Sequence, residues 1–130
     1  MPKGYVNVRL PRESVLKVDK DYESDHALQR QYVQDLIVVL TRHHLKVMWI
    51  KTSRTRHGRH YYIRINRPVT ALTTNKLQYL IGDDPKRVAY NEARIRSSLP
   101  EWNKLFEEIG VRLRTIYQNP ETRSKTRKKC

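Results

Sequence analysis

The chain has 130 residues, and 27 Lys and Arg against 13 Asp and Glu give it a formal net charge of +14. That length is one ordinary domain able to bury its own core, and the single cysteine, Cys130, excludes an internal disulfide. No apolar run approaches the roughly 20 residues that cross a bilayer, and Met1-Pro2-Lys3-Gly4 does not open a signal peptide, so an intracellular protein is expected.

Residues Tyr5 to Leu10 alternate and read as a short strand ending at Pro11. Ser14 to Asp19 is a second strand, with Leu16 and Val18 on one face and Lys17, Asp19 and then Asp21 on the other. Ser24-Asp25 supplies a capping hydroxyl and an acid at the positive end of a helix dipole. The helix that follows runs to about His44, with an apolar stripe of Leu28, Tyr32, Leu36 and Val39 broadened by Val33, Ile37 and Leu40. His43 and His44 complement the dipole in its last turn.

Leu45 to Arg67 reads as a β-hairpin whose two arms are rich in β-branched and aromatic residues, joined by a loop from Thr52 to Gly58. Parity in the second arm places Tyr61, Ile63 and Ile65 on a core face, and His60, Tyr62 and Arg64 on the other. Pro68 interrupts. Thr70 to Ile81 reads as a helix closed by Gly82. Asp84 and Pro85, as cap and first helical residue, open another that extends to about Ser98 and presents Arg87, Asn91 and Arg94 along one side. Pro100 starts a short helix with Trp102, Leu105, Phe106 and Ile109 at core spacing, ended by Gly110. Val111 to Tyr117 suits an edge strand. Residues 1–119 form a single domain, and 120–130 a flexible basic tail.

A strand, a long helix and a hairpin in that order make half of a ferredoxin-like or RRM-like unit. The expected fold is therefore α+β: an antiparallel sheet with one long helix on one face, then a group of short helices and the tail. If the first strand and the hairpin are neighbours, Lys17, Asp19, Asp21, His60, Tyr62 and Arg64 share the open face.

The charge is concentrated in two places. The span 45–67 holds seven cations, Lys46, Lys51, Arg54, Arg56, Arg59, Arg64 and Arg67, and no acid. The span 111–130 holds seven more, including Arg123, Lys125, Arg127, Lys128 and Lys129, against Glu121. Such placement calls for a polyanionic partner, and nucleic acid is the commonest. A membrane surface is the poorer match, because the basic segments lack the apolar face of an interfacial helix. In the hairpin loop, hydroxyls, arginines and a glycine are donors suited to phosphate oxygens, and Tyr62 offers a stacking surface.

Asp19 and Asp21, two apart on a strand, aim two carboxylates at one spot, as a divalent cation requires, although an acidic strand end has the same pattern. His60 fits a phosphate contact or a structural histidine. A zinc site has no cysteine pair to build on. Val18-Asp19-Lys20-Asp21, the long helix, and Ser53 to Gly58-Arg59-His60 leading into a strand together resemble the palm of archaeo-eukaryotic primases. Leu80-Ile81-Gly82-Asp83-Asp84-Pro85-Lys86-Arg87, continuing to Arg94, is similar to a segment of small proteins of archaeal plasmids and viruses. The resemblance implies Asp19 and Asp21 as ligands of Mg²⁺ or Mn²⁺ and His60 as the nucleotide contact. It also implies a protein of a host cytoplasm or a virion, and 16 Arg against 11 Lys is compatible with a thermophilic host. Lys20 stands where that family carries an apolar residue, and no third strand carboxylate is evident.

The expected function is non-catalytic nucleic-acid binding without a cofactor, to DNA rather than RNA, with a homodimer left open. The expected contacts are Lys51, Arg54, Arg56, Arg59, His60, Tyr62, Arg64, Arg67, Arg87, Arg94 and the five tail cations. Two alternatives stand beside it. One is a metal-dependent nucleotidyltransferase using Asp19, Asp21 and His60. The other is a helix-turn-helix regulator in which Arg87, Asn91 and Arg94 read the groove.

Overall fold

Four antiparallel strands and three helices make up the computed structural model, which describes residues 12–20, 26–56, 58–105 and 112–121. In chain order these are β1 (Arg12–Lys20), α1 (His26–Arg42), β2 (Val47–Arg54), β3 (Arg59–Thr70), α2 (Ala71–Leu80), α3 (Pro85–Arg96) and β4 (Arg114–Gln118). The sheet order is β1-β3-β2-β4, so β3 lies between the strands that α1 connects. This is the α+β, ferredoxin-like arrangement that the order of elements predicts. The last strand adds to β2, which leaves β1 as the opposite edge.

One sheet face is apolar. Leu16 and Val18 of β1, Ile50 of β2, and Tyr61, Ile63 and Ile65 of β3 pack with Leu36 and Leu40 of α1 and Leu77 of α2 in one buried cluster. Leu28, expected in the α1 stripe, is exposed, and the helix buries Gln29 beside it instead. The capping residues expected for α1, Ser24 and Asp25, lie outside the described residues, as does the strand expected at Tyr5–Leu10. His43 and His44 fall just past the helix. His44 takes a left-handed conformation (φ 63), and the Leu45 N–H donates to the Leu40 carbonyl at 3.0 Å to close the end.

The hairpin forms with its register fixed by Ile50 opposite Ile63 and Ser53 opposite His60. β2 runs further than its sequence suggests, taking in Thr52, Ser53 and Arg54. The loop shrinks to 55–58, where the Thr55 N–H donates to the Gly58 carbonyl at 2.9 Å. β3 likewise continues through Pro68 to Thr70. Pro68 is tolerated because the ladder with β1 skips from Glu13–Val69 to Val15–Arg64, and no pairing N–H is required in between.

Gly82 closes α2 with a positive φ of 96°. The Asp83 N–H donates to the Gln78 carbonyl at 2.9 Å and the Gly82 N–H to the Tyr79 carbonyl at 3.0 Å. That turn aims Asp83 at the free edge of β1. Asp83 Oδ1 accepts from the Asp19 N–H and Gln78 Oε1 from the Lys17 N–H, each at 2.9 Å. Arg87 donates to the Lys17 carbonyl at 3.2 Å. Side chains therefore satisfy the edge groups that an unpaired strand would offer to another chain. Pro100–Leu105 is not helical, although Trp102 and Leu105 are buried as the core spacing implies. Phe106 and Ile109 lie outside the described residues. No described helix is long and apolar enough to cross a membrane.

Candidate nucleic-acid interface

The face of the sheet away from α1 is a grid of three rows across β1, β3 and β2. Register pairs Val15, Arg64 and Trp49, then Lys17, Tyr62 and Lys51, then Asp19, His60 and Ser53. Cations and aromatics alternate across this surface. Lys51 Nζ lies 4.5 Å from the centre of the Trp49 ring, and Arg64 is exposed. Strand parity thus gathers Lys17, Asp19, His60, Tyr62 and Arg64 on one face, as the sequence implies.

That face is not open. Tyr62 is only 6 % exposed and His60 only 2 %. Both sit on the internal strand β3, where each is flanked on both sides, Tyr62 by Lys17 and Lys51 and His60 by Asp19 and Ser53. The expectation that Tyr62 stands free to stack on a base is corrected. Trp49 and Lys51, half-buried on β2, are the more accessible aromatic–cation pair.

Asp19 and His60 are brought together, with Asp19 Oδ1 3.6 Å from His60 Nε2. Thr52 Oγ1 donates to the His60 carbonyl at 2.8 Å and locks β2 against β3 beside them. Ser53, in the same row, has a buried hydroxyl with no hydrogen-bond partner among the described residues. Asp21, the second carboxylate of the expected metal site, lies outside the described residues. Among the described residues no three His, Cys, Asp or Glu side chains are grouped as a metal site.

At the hairpin end the following row is entirely cationic, Lys20 opposite Arg59 and Arg59 opposite Arg54, and by strand parity it lies on the α1 side of the sheet, opposite to the grid. Arg54 and Arg56 are exposed, and Arg59 is half-buried. Like charges directly opposite in a ladder destabilise it. Lys20 extends over Tyr32, its Nζ 4.7 Å from the ring centre, and partial burial lowers its pKa against the opposing pull of the Asp83 carboxylate. Arg67 is exposed near the far end of β3, well along the strand from this row.

Arg87 and Asn91 are not surface readers. Arg87 forms a buried ion pair with Asp83, and it also donates to the carbonyls of Lys104 at 2.9 Å and Lys17 at 3.2 Å and to Asn103 Oδ1 at 2.6 Å. Burial raises the Asp83 pKa most, opposed by Arg87 and by the Asp19 and Asp84 N–H donors. Asn91 is fully buried and donates to Asn75 Oδ1 at 3.2 Å. These side chains belong to an internal amide network, so the outward face expected of a recognition helix is corrected. Arg94 remains half-exposed. The tail residues Arg123, Lys125, Arg127, Lys128 and Lys129 lie outside the described residues.

Sequence reading named Arg94 but missed Lys86 and Tyr90, which stand with it at one-turn intervals along α3 and face a cleft of about 600 Å³. Their signal, cation–aromatic–cation at spacings of four, was in plain view beside the buried ridge Arg87, Asn91 and Ile95. Compared with family models, curated proteins and solved structures, the chain matches none.

Proposed function

We propose that this protein binds nucleic acid without acting on it chemically, DNA in the first instance, through the cationic end of its hairpin, with Trp49 and Lys51 of the other sheet face as a second contact. The register of Arg59 between Arg54 and Lys20 carries this reading. Three cationic side chains abreast on adjacent strands concentrate positive charge at one end of the hairpin, which suits a phosphate backbone. The half-buried Trp49 with Lys51 above it supports a single-stranded partner, because an aromatic surface beside cations suits unstacked bases. Arg54→Gln with Arg59→Gln separates this role from a structural one. Affinity for a single-stranded oligonucleotide should drop while thermal stability holds or rises. If stability falls and affinity does not, the row is structural and the reading fails.

The contact of Asp19 with His60 favours a second reading, a metal-dependent nucleotidyltransferase in which these two side chains help to hold Mg²⁺ or Mn²⁺. In a binding module, Asp19→Asn removes a negative charge near a polyanion and leaves affinity unchanged or improved. Nucleotide incorporation or strand cleavage that needs Mn²⁺ and is lost in Asp19→Asn would establish the enzyme instead.

A further inference from the structure

The cleft of about 600 Å³ between the end of β1, α3 and the 104–105 segment is lined by Asp19, Lys86, Tyr90, Arg94, Lys104 and Leu105, together with Asp84 and Arg87. Its volume lies within the range of small-molecule sites, roughly 300–1,000 Å³. Three of its charges already have partners: Asp84 caps α3 by accepting from the Lys86 N–H at 3.0 Å, Arg87 pairs with Asp83, and Asp19 Oδ1 lies 3.6 Å from His60 Nε2. The cations that remain are Lys86, Arg94 and Lys104. Tyr90 is 64 % exposed, and the Arg94 guanidinium carbon lies 6.0 Å from its ring centre. Lys104 also meets Glu101 at 3.2 Å, a pair exposed enough to yield to a stronger anion.

A wall with three cations, one exposed ring and one carboxylate suits a ligand that combines an anion, a flat ring and hydrogen-bond donors. A plain phosphate satisfies only the cations, and Asp19 repels it. We propose that the cleft is a nucleotide site selective for guanine. Its phosphate meets Lys86, Arg94 and Lys104, its base lies on Tyr90, and Asp19 accepts from the base edge. Guanine is the base whose Watson–Crick edge places two donors, N1–H and the N2 amino group, side by side for one carboxylate. The choice of ligand rests on the nucleic-acid reading. The site itself is separate from the Arg54–Arg59 row.

Titration calorimetry of the full chain with dGMP, dIMP, dAMP and inorganic phosphate tests the proposal. Binding should follow the order dGMP, dIMP, dAMP, with phosphate weakest. Tyr90→Ala should weaken dGMP about tenfold, as loss of one stacked base does, Tyr90→Phe should restore it, and Asp19→Asn should erase the preference over dAMP. Tyr90 is exposed, so its loss leaves the fold in place. Arg54→Gln with Arg59→Gln should leave dGMP affinity unchanged. Absent or equal binding of dGMP and dAMP would overturn the cleft proposal even if oligonucleotides still bind. Guanine-selective dGMP binding without oligonucleotide affinity would uphold the cleft and overturn the interface.

Discussion

The Asp19 N–H donates to the Asp83 carboxylate at 2.9 Å across 64 positions of sequence, and this bond ties the helical layer to the edge strand. Asp83 is at once the partner of Arg87 and the cover for the edge of β1. The row that brings Asp19 beside His60 therefore depends on a residue that contacts neither the sheet face nor solvent.

Removing that charge should be costly. Asp83→Asn keeps an oxygen for the Asp19 N–H but leaves the Arg87 guanidinium, 8 % exposed, without a counter-charge. Breaking a buried pair on one side costs about 3–5 kcal/mol. Urea unfolding should show a midpoint shift of that size, and a loss under about 1 kcal/mol would mean that Arg87 finds compensation elsewhere.

The halves of this arrangement differ in how far the sequence reveals them. Strand parity, the hairpin and the Asp84-Pro85 start of α3 are local, and all three can be read from the chain. The burial of Tyr62 is not local, because strand parity gives its face but not what packs against that part of the face; Arg64, on the same face of β3, is exposed. Nor is the fate of Arg87 local, because only the turn at Gly82 delivers Asp83 to it. Arg87 and Arg94 look alike as letters, and two turns of helix separate an internal hub from a surface cation. The row of Lys20, Arg59 and Arg54 is legible only once the register is known.

Gly82 should resist substitution. At φ 96° a side chain is strained, and a Cβ there would lie 3.2 Å from Lys20 Cε. Gly82→Ala should cost about 1–2 kcal/mol, read as a lower melting temperature. An unchanged melting temperature would show that the turn re-forms without a left-handed residue.

Lys20 sets a pH dependence. Its folded pKa is below the ordinary 10.5, so the folded chain releases this proton before the unfolded chain does. Between the lowered value and 10.5, the unfolded state binds more protons, and this residue's contribution to stability rises with pH. Relative to Lys20→Met, the native chain should gain stability on alkaline titration up to that limit. A difference that is flat or falls with pH would contradict the burial of Lys20 beside Tyr32.

The most direct test of the interface is the salt dependence of single-stranded oligonucleotide affinity, measured by fluorescence anisotropy on the native chain and on Arg54→Gln with Arg59→Gln. Each phosphate contact contributes about −0.7 to the log–log slope. The native chain should show a steep slope, and the double variant should be shallower by about 1.4, two contacts' worth. A flat native slope, or an unchanged slope in the variant, would contradict a phosphate-binding role for the Arg54–Arg59 row.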